Sequence, residues 1–271
     1  SITKLFTAVA TLQLVERRAF SLDTSVVDHL GLSGSSISTE VTPYHLLTHT
    51  SGIADDADEE AGERYEDLFR SDPTYAFTDI AANLPHFINK PPNFPPGEGC
   101  RYCNAGYLLL GLMVERATGT SYRTYVERNV LEPAGMTRSG FLRMDVVEPD
   151  VAEAVEPIVD SAERIVGWRR NIYAYPPIGD SAGGAHVTVG DLIAFHRSLC
   201  AGRLLGPDLT AATLTPQELH STAPDGSRRM MGFGFEFRVA ADGRVRHHQK
   251  DGVNVGTSGL LTSTRRPARI A

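Results

Sequence analysis

Ser1-Ile2-Thr3-Lys4 puts a hydroxyl and an amine three residues apart. On a helix that spacing brings both onto one face. A serine hydroxyl is a poor nucleophile until a base stands beside it. A lysine serves as that base only when its pKa falls well below about 10.4. Burial and a second cation both push it down, and the partial positive charge at a helix N-terminus stabilises a developing oxyanion. Alone the pattern is loose, because a helix cap followed by a surface lysine has the same four-residue form. Tyr102-Cys103-Asn104 offers a phenol that can relay a proton and an amide that can hold a lysine amine. A buried tyrosine and a capping asparagine are its plainer reading. Lys250-Asp251-Gly252 offers a second cation and a strand glycine that a substrate backbone can approach closely; its plainer reading is an exposed loop lysine. Beside Gly252, the backbone N–H of Val253 could join that of Ser1 as an oxyanion hole.

Three other arrangements compete. Gly179-Asp180-Ser181-Ala182-Gly183 fits Gly-x-Ser-x-Gly, the nucleophile elbow of α/β-hydrolases, with His247 or His248 as base and Asp208 or Asp225 as acid. An elbow needs a buried strand ahead of it, and Tyr173-Ala174-Tyr175-Pro176-Pro177 makes a poor one. Cys100-x-x-Cys103 has redox or metal-pair spacing but overlaps the Tyr102 segment and has no partner pair. Ser1 acting through its own α-amine is a third option, which a helical start fits poorly.

The elements that must position these groups follow from periodicity. Leu5, Ala8, Val9, Leu12 and Val15 fall at helical spacing and predict a helix over 2–18, with Ser1 as its N-cap or in its first turn. A short helix is expected over 43–48, ended by Ser51-Gly52. Residues 54–101 read as irregular and polar, with Pro91, Pro92, Pro95, Pro96 and Gly97 stiffening the approach to Tyr102. Helices are expected over 105–118, 121–131 and 189–199, with short strands within 140–180. Phe233, Phe235, Phe237 and Val239 alternate as in a strand; Val245 and His247 start a second, and residues 256–263 a third. Helices followed by strands predict an α+β fold whose sheet has only three or four strands.

Composition narrows the partners. The chain has 271 residues with 41% hydrophobic and 22% charged, enough for a sizeable core. A net charge of -7 argues against nucleic acid. Arg169-Arg170, Arg228-Arg229 and Arg265-Arg266 are short pairs expected on solvated surface. Three cysteines make no disulfide framework, and no apolar run reaches the roughly 20 residues of a membrane span. No signal-peptide pattern is visible, and cytoplasmic and exported locations both fit.

Taken in order, the three motifs resemble the Ser-x-x-Lys, Tyr-x-Asn and Lys/His-x-Gly set of the serine β-lactamase and penicillin-binding superfamily, including class C β-lactamases and family VIII esterases. Leu46-Leu47-Thr48-His49-Thr50-Ser51-Gly52, Phe94-Pro95-Pro96-Gly97 and Ser181-Ala182-Gly183-Gly184 with Asp191-Leu192 extend the likeness over nearly the whole chain. The resemblance implies one β-lactamase/transpeptidase-like domain over 1–271, an antiparallel sheet flanked by helices. Its helical lobe would span roughly 25–190 and its C-terminal strands roughly 230–271. It implies acyl transfer to water through a Ser1 ester, without metal or cofactor, on a small-molecule ester, amide or β-lactam. Lys4 or Tyr102 would take the serine proton, Asn104 would hold Lys4, and Tyr102 would serve in deacylation. Asp251 departs from the family's small residue or threonine and would repel a β-lactam carboxylate. Family members also carry strands before the Ser-x-x-Lys helix and a strand and helix beyond Ala271. The chain is therefore expected to be truncated at both ends, with an exposed sheet edge that favours a homo-oligomer. A non-catalytic binding protein on the same fold is the alternative from another class.

Overall fold

The computed structural model describes residues 1–264; Arg265-Arg266 and the expected strand sequence up to Ala271 lie outside them. Helix α1 (Lys4–Glu16) is buried on all sides from Lys4 to Leu14, not along one stripe. Its polar residues are paired as burial demands. The Thr7 hydroxyl donates to the Ser181 carbonyl at 2.7 Å, and Gln13 Nε2 donates to the Asn129 and Leu204 carbonyls. The expectation that Ser1 caps a helix starting at residue 2 is corrected. Thr3 flanks the helix, and Ser1 stands one tight turn ahead, closed by Lys4 N–H to the Ser1 carbonyl and Leu5 N–H to the Ile2 carbonyl. Bonds of this i to i+3 kind wind the backbone more tightly than an α-turn.

α4 (Asn104–Thr118) packs on α1, and α2 (Val26–Leu30) and α3 (Pro43–Leu47) pack on α4; α3 and α4 fall within a residue of expectation. Residues 54–101 hold only short 3-10 turns. The expected 121–131 helix is broken into α5 (Tyr122–Val126), a π-type turn over 127–131 and α6 (Glu132–Ala134). β1 (Val155–Val159) and β2 (Ile165–Arg170) form a hairpin, followed by α7 (Val189–Cys200) and α8 (Pro207–Thr213).

The main sheet is a meander of five antiparallel strands: β3 (Glu218–Thr222), β4 (Arg228–Met231), β5 (Glu236–Val239), β6 (Val245–Asn254) and β7 (Thr257–Thr264). This exceeds the expected three or four, because β3 and β4 carry too few apolar residues to read as strands. The expected strand from Phe233 is shortened. Gly234 sits at φ +85° against Ala8 and Lys4 of α1, and the Gly232 N–H closes a turn onto the Phe235 carbonyl. Phe235 and Phe237 nonetheless both enter the core, where Phe6 meets Phe195 edge-on at 5.0 Å. Antiparallel strands and flanking helices make this the expected α+β architecture.

Candidate active site

Three elements converge on Ser1. From α1, Lys4 Nζ lies 3.2 Å from Ser1 Oγ, donates to Asn104 Oδ1 at 2.7 Å and donates to the Ala182 carbonyl at 2.7 Å. It is fully buried. From the segment leading into α4, the Tyr102 hydroxyl donates to Ser1 Oγ at 2.7 Å. From β6, the Lys250 ammonium lies 5.1 Å from the centroid of the Tyr102 ring, and Lys4 Nζ lies 5.0 Å from the same centroid. Two cations on one aromatic ring draw on its negative face. Burial pushes the Tyr102 phenol up, while Lys4 and the hydrogen bond to Ser1 pull it the other way.

The surroundings explain why each group stays in place. Asp55 is buried and accepts the Asn104 and Ala105 N–H groups at 2.8 and 2.7 Å, so a carboxylate distant in sequence satisfies the first turn of α4. Cys103, at the N-cap position, makes no side-chain cap. Asp180 accepts the Ala182 and Gly183 N–H groups, folding the loop so that the Ala182 carbonyl meets Lys4. Lys250 is 2% exposed, not a loop lysine, and pairs with Glu236 at 3.5 Å and Asp251 at 3.1 Å. Burial raises the Glu236 carboxyl, but Arg229 at 2.9 Å and Lys250 outweigh it and hold the group low. Arg229 is therefore part of this network, which corrects its expected place on solvated surface.

β5 is paired with β6 only as far as Gln249, so from Lys250 onward one edge of β6 borders the nucleophile. A Cβ on Gly252 would stand 2.9 Å from the Ile2 nitrogen and 3.0 Å from that of Ser1. The glycine thus admits the chain's own backbone at Ser1 and Ile2. Val253 is 71% exposed and lines, with Ser1, a cleft of about 380 Å³ that also touches Tyr65, Asn104, Tyr175 and Ala182.

The competing arrangements fare differently. Ser181 Oγ is fully buried against Gly111, with no hydrogen-bond partner, and no strand leads directly into it, since β2 ends at Arg170, so the geometry does not fit an elbow. His248 pairs instead with His196, Nε2 to Nε2 at 2.8 Å. Cys100 and Cys103 are free thiols; burial pushes Cys100 up to about 12 and Cys103 well above the usual thiol range, so both are poor redox nucleophiles. Among the described residues no group of His, Cys, Asp and Glu could hold a metal ion, and no helix is long and apolar enough to cross a membrane.

A family profile described as Beta-lactamase matches residues 1–267. The chain belongs to the beta-lactamase family. Among its curated relatives, Esterase EstB of Burkholderia gladioli is 37% identical over 52% of this chain and 37% of its own length. Penicillin-binding protein 4 of Amycolatopsis lactamdurans is 32% identical over 51% of this chain and 34% of its own. The matched segment thus spans only about a third of these relatives. Among solved structures, a penicillin binding protein from Bacillus halodurans superposes with a TM-score of 0.88 at 35% identity, covering 97% of this chain and 76% of that one. Within the family fold, sequence reasoning missed Asp55, Asp180, the Ala182 carbonyl, Glu236 and His49. The first four act on backbone groups or as one carboxylate among many, which no short motif marks. His49 was visible in the Leu46–Gly52 segment, but its contact with Tyr102 was not.

Proposed function

We propose that this chain is a serine hydrolase that works through an acyl-enzyme on Ser1. The observation that carries the reading is that Ser1 Oγ lies within hydrogen-bond reach of two proton carriers, Lys4 Nζ at 3.2 Å and Tyr102 Oη at 2.7 Å. Oγ attacks a substrate carbonyl carbon while its proton passes to the deprotonated member of the Lys4–Tyr102 pair, a free Lys4 amine or a Tyr102 phenolate. The oxyanion forms beside the Ser1 and Val253 N–H groups. When it collapses, the bond to the leaving oxygen or nitrogen breaks and Tyr102 returns a proton to that atom. Water, deprotonated by Tyr102, then attacks the Ser1 ester and releases the acid.

Esters and amides without a carboxylate on the leaving side fit best. Asp251 projects from β6 with 57% of its side chain exposed, and the Lys250 charge beside it is already shared with Glu236. Glu59 and Glu63 line the cleft, whereas the Arg64 there is paired to Glu66. Uncharged substrates meet no like charge in this setting. Similar proteins agree with such chemistry: EstB is an esterase, and a D-stereospecific amidohydrolase from Streptomyces sp. superposes at 25% identity with a TM-score of 0.78, over 98% of this chain and 77% of that one.

Steady-state assay with p-nitrophenyl esters and nitrocefin tests the reading. We expect ester turnover that Ser1→Ala abolishes. The kcat/KM for nitrocefin, which carries a carboxylate, should be at least roughly tenfold lower, as about 1.4 kcal/mol of like-charge repulsion would give. Faster turnover of nitrocefin would overturn the substrate preference, and ester turnover that survives Ser1→Ala would overturn the nucleophile.

A further inference from the structure

His49 holds its backbone at φ +60°, in the left-handed region that few residues other than glycine adopt. That conformation lets one residue grip both neighbours of Tyr102. The Arg101 N–H donates to the His49 carbonyl at 2.9 Å, and the Cys103 N–H donates to the His49 ring at Nδ1, 3.1 Å. Between these two bonds the imidazole lies on the Tyr102 ring, with centroids 4.6 Å apart and planes at 28°. It also packs on Tyr107 at 5.2 Å, whose hydroxyl is tied to the Leu47 carbonyl at 2.9 Å. The clamp is therefore anchored in α3 and α4, not in the site itself.

We propose that His49 is a positioning residue that acts through Tyr102: by holding Arg101 and Cys103 and lying on the ring between them, it fixes the phenol oxygen over Ser1. The proposal rests on the serine hydrolase reading. It requires a particular tautomer. Nδ1 accepts the hydrogen bond from the Cys103 N–H, so the ring carries its own hydrogen on Nε2; a second proton, on Nδ1, would set two donors face to face. The groups around the ring disfavour that proton. Burial acts first, then Lys4 from α1, Lys250 from β6, Arg229 from β4 and His220 from β3, and together they hold His49 well below the usual histidine range. The ring stays neutral where an imidazolium would be repelled by both lysines.

Three variants separate clamping from mere packing. Asn tolerates the left-handed backbone, and its Oδ1 can replace Nδ1 as acceptor. Phe keeps the ring contact without the acceptor, and Ala loses both. The readout is the second-order rate at which a fluorophosphonate labels Ser1 in the full chain, with Tm measured alongside. His49→Ala and His49→Phe should slow labelling by roughly tenfold to a hundredfold, the cost of displacing a reacting group by about an ångström. His49→Asn should recover most of the rate. Equal rates in all variants, no recovery in His49→Asn, or losses that follow Tm across the set would each overturn the proposal. A wild-type chain whose Ser1 takes no label contradicts the hydrolase reading instead. The clamp is then judged by 15N chemical shifts of the His49 ring: an unprotonated Nδ1 at neutral pH supports it, and a protonated Nδ1 overturns it.

Discussion

Ser1 Oγ has two neighbours able to take its proton, and removing each should leave a different trace. Tyr102→Phe takes away one hydroxyl from a half-buried ring whose packing on His49 survives. It should lower kcat on p-nitrophenyl acetate by roughly 10²- to 10⁴-fold, the usual worth of a general acid–base, with little change in Tm. Lys4→Met takes the donor away from Asn104 Oδ1 and from the Ala182 carbonyl, both inside the protein. Each buried acceptor left unpaired costs about 1–3 kcal/mol, so this variant should lose both activity and several degrees of Tm. Steady-state kinetics beside thermal unfolding separates the two. The same contrast explains what could be read from the sequence. Ser1, Lys4, Tyr102, Asn104 and Lys250 were legible because their chemistry resides in their side-chain types and spacing. The Ala182 carbonyl was not, since any residue there supplies a carbonyl and only the fold aims it. His49 needed its φ and its ring plane to be known, and neither is written in seven letters.

At the scale of elements, the site hangs on the first turn of α4. Asp55 satisfies that turn, and Asp56 lies buried beside it. Burial pushes both carboxyls up, Asp56 further because the Asp55 charge adds to it. Above about pH 4 the folded chain therefore holds a proton that the unfolded chain has released. Stability must then fall as pH rises, by about 1.4 kcal/mol per unit for a single retained proton, until the folded pKa is passed. Asp56→Asn keeps the shape without the proton, so urea unfolding should show a flatter pH profile and higher stability than wild type at alkaline pH. An unchanged slope would mean that the pair carries no retained proton. On the other side of the cleft, Gly252→Ala forces a Cβ to within 2.9 Å of the Ile2 nitrogen. Overpacking of this kind costs about 1–3 kcal/mol, and the Tm should drop together with the Ser1 labelling rate. Periodicity found α3, α4 and α7 nearly to the residue: α3 and α7 have a threonine cap, and α4 has a long apolar run. It failed where tertiary contacts overrode the pattern: at Gly234, which bends the chain against α1, and at β3 and β4, which are paired strands with only partly buried faces.

For the whole molecule, the net charge of -7 and the acidic lining of the cleft point the same way. A substrate that brings its own carboxylate must enter against that field, and added salt should weaken the discrimination between nitrocefin and a neutral ester. The fold class was legible mainly because separate segments, from Ser1-x-x-Lys4 to Lys250-x-Gly252, kept their order along the chain. Composition and periodicity alone gave only helices followed by strands. The most direct measurement is peptide mapping by mass spectrometry after the full chain is treated with a fluorophosphonate. The expected result is one adduct, on Ser1, which Ser1→Ala removes and Tyr102→Phe slows. An adduct on Ser181, or none on any serine, would contradict the assignment of Ser1 as the nucleophile.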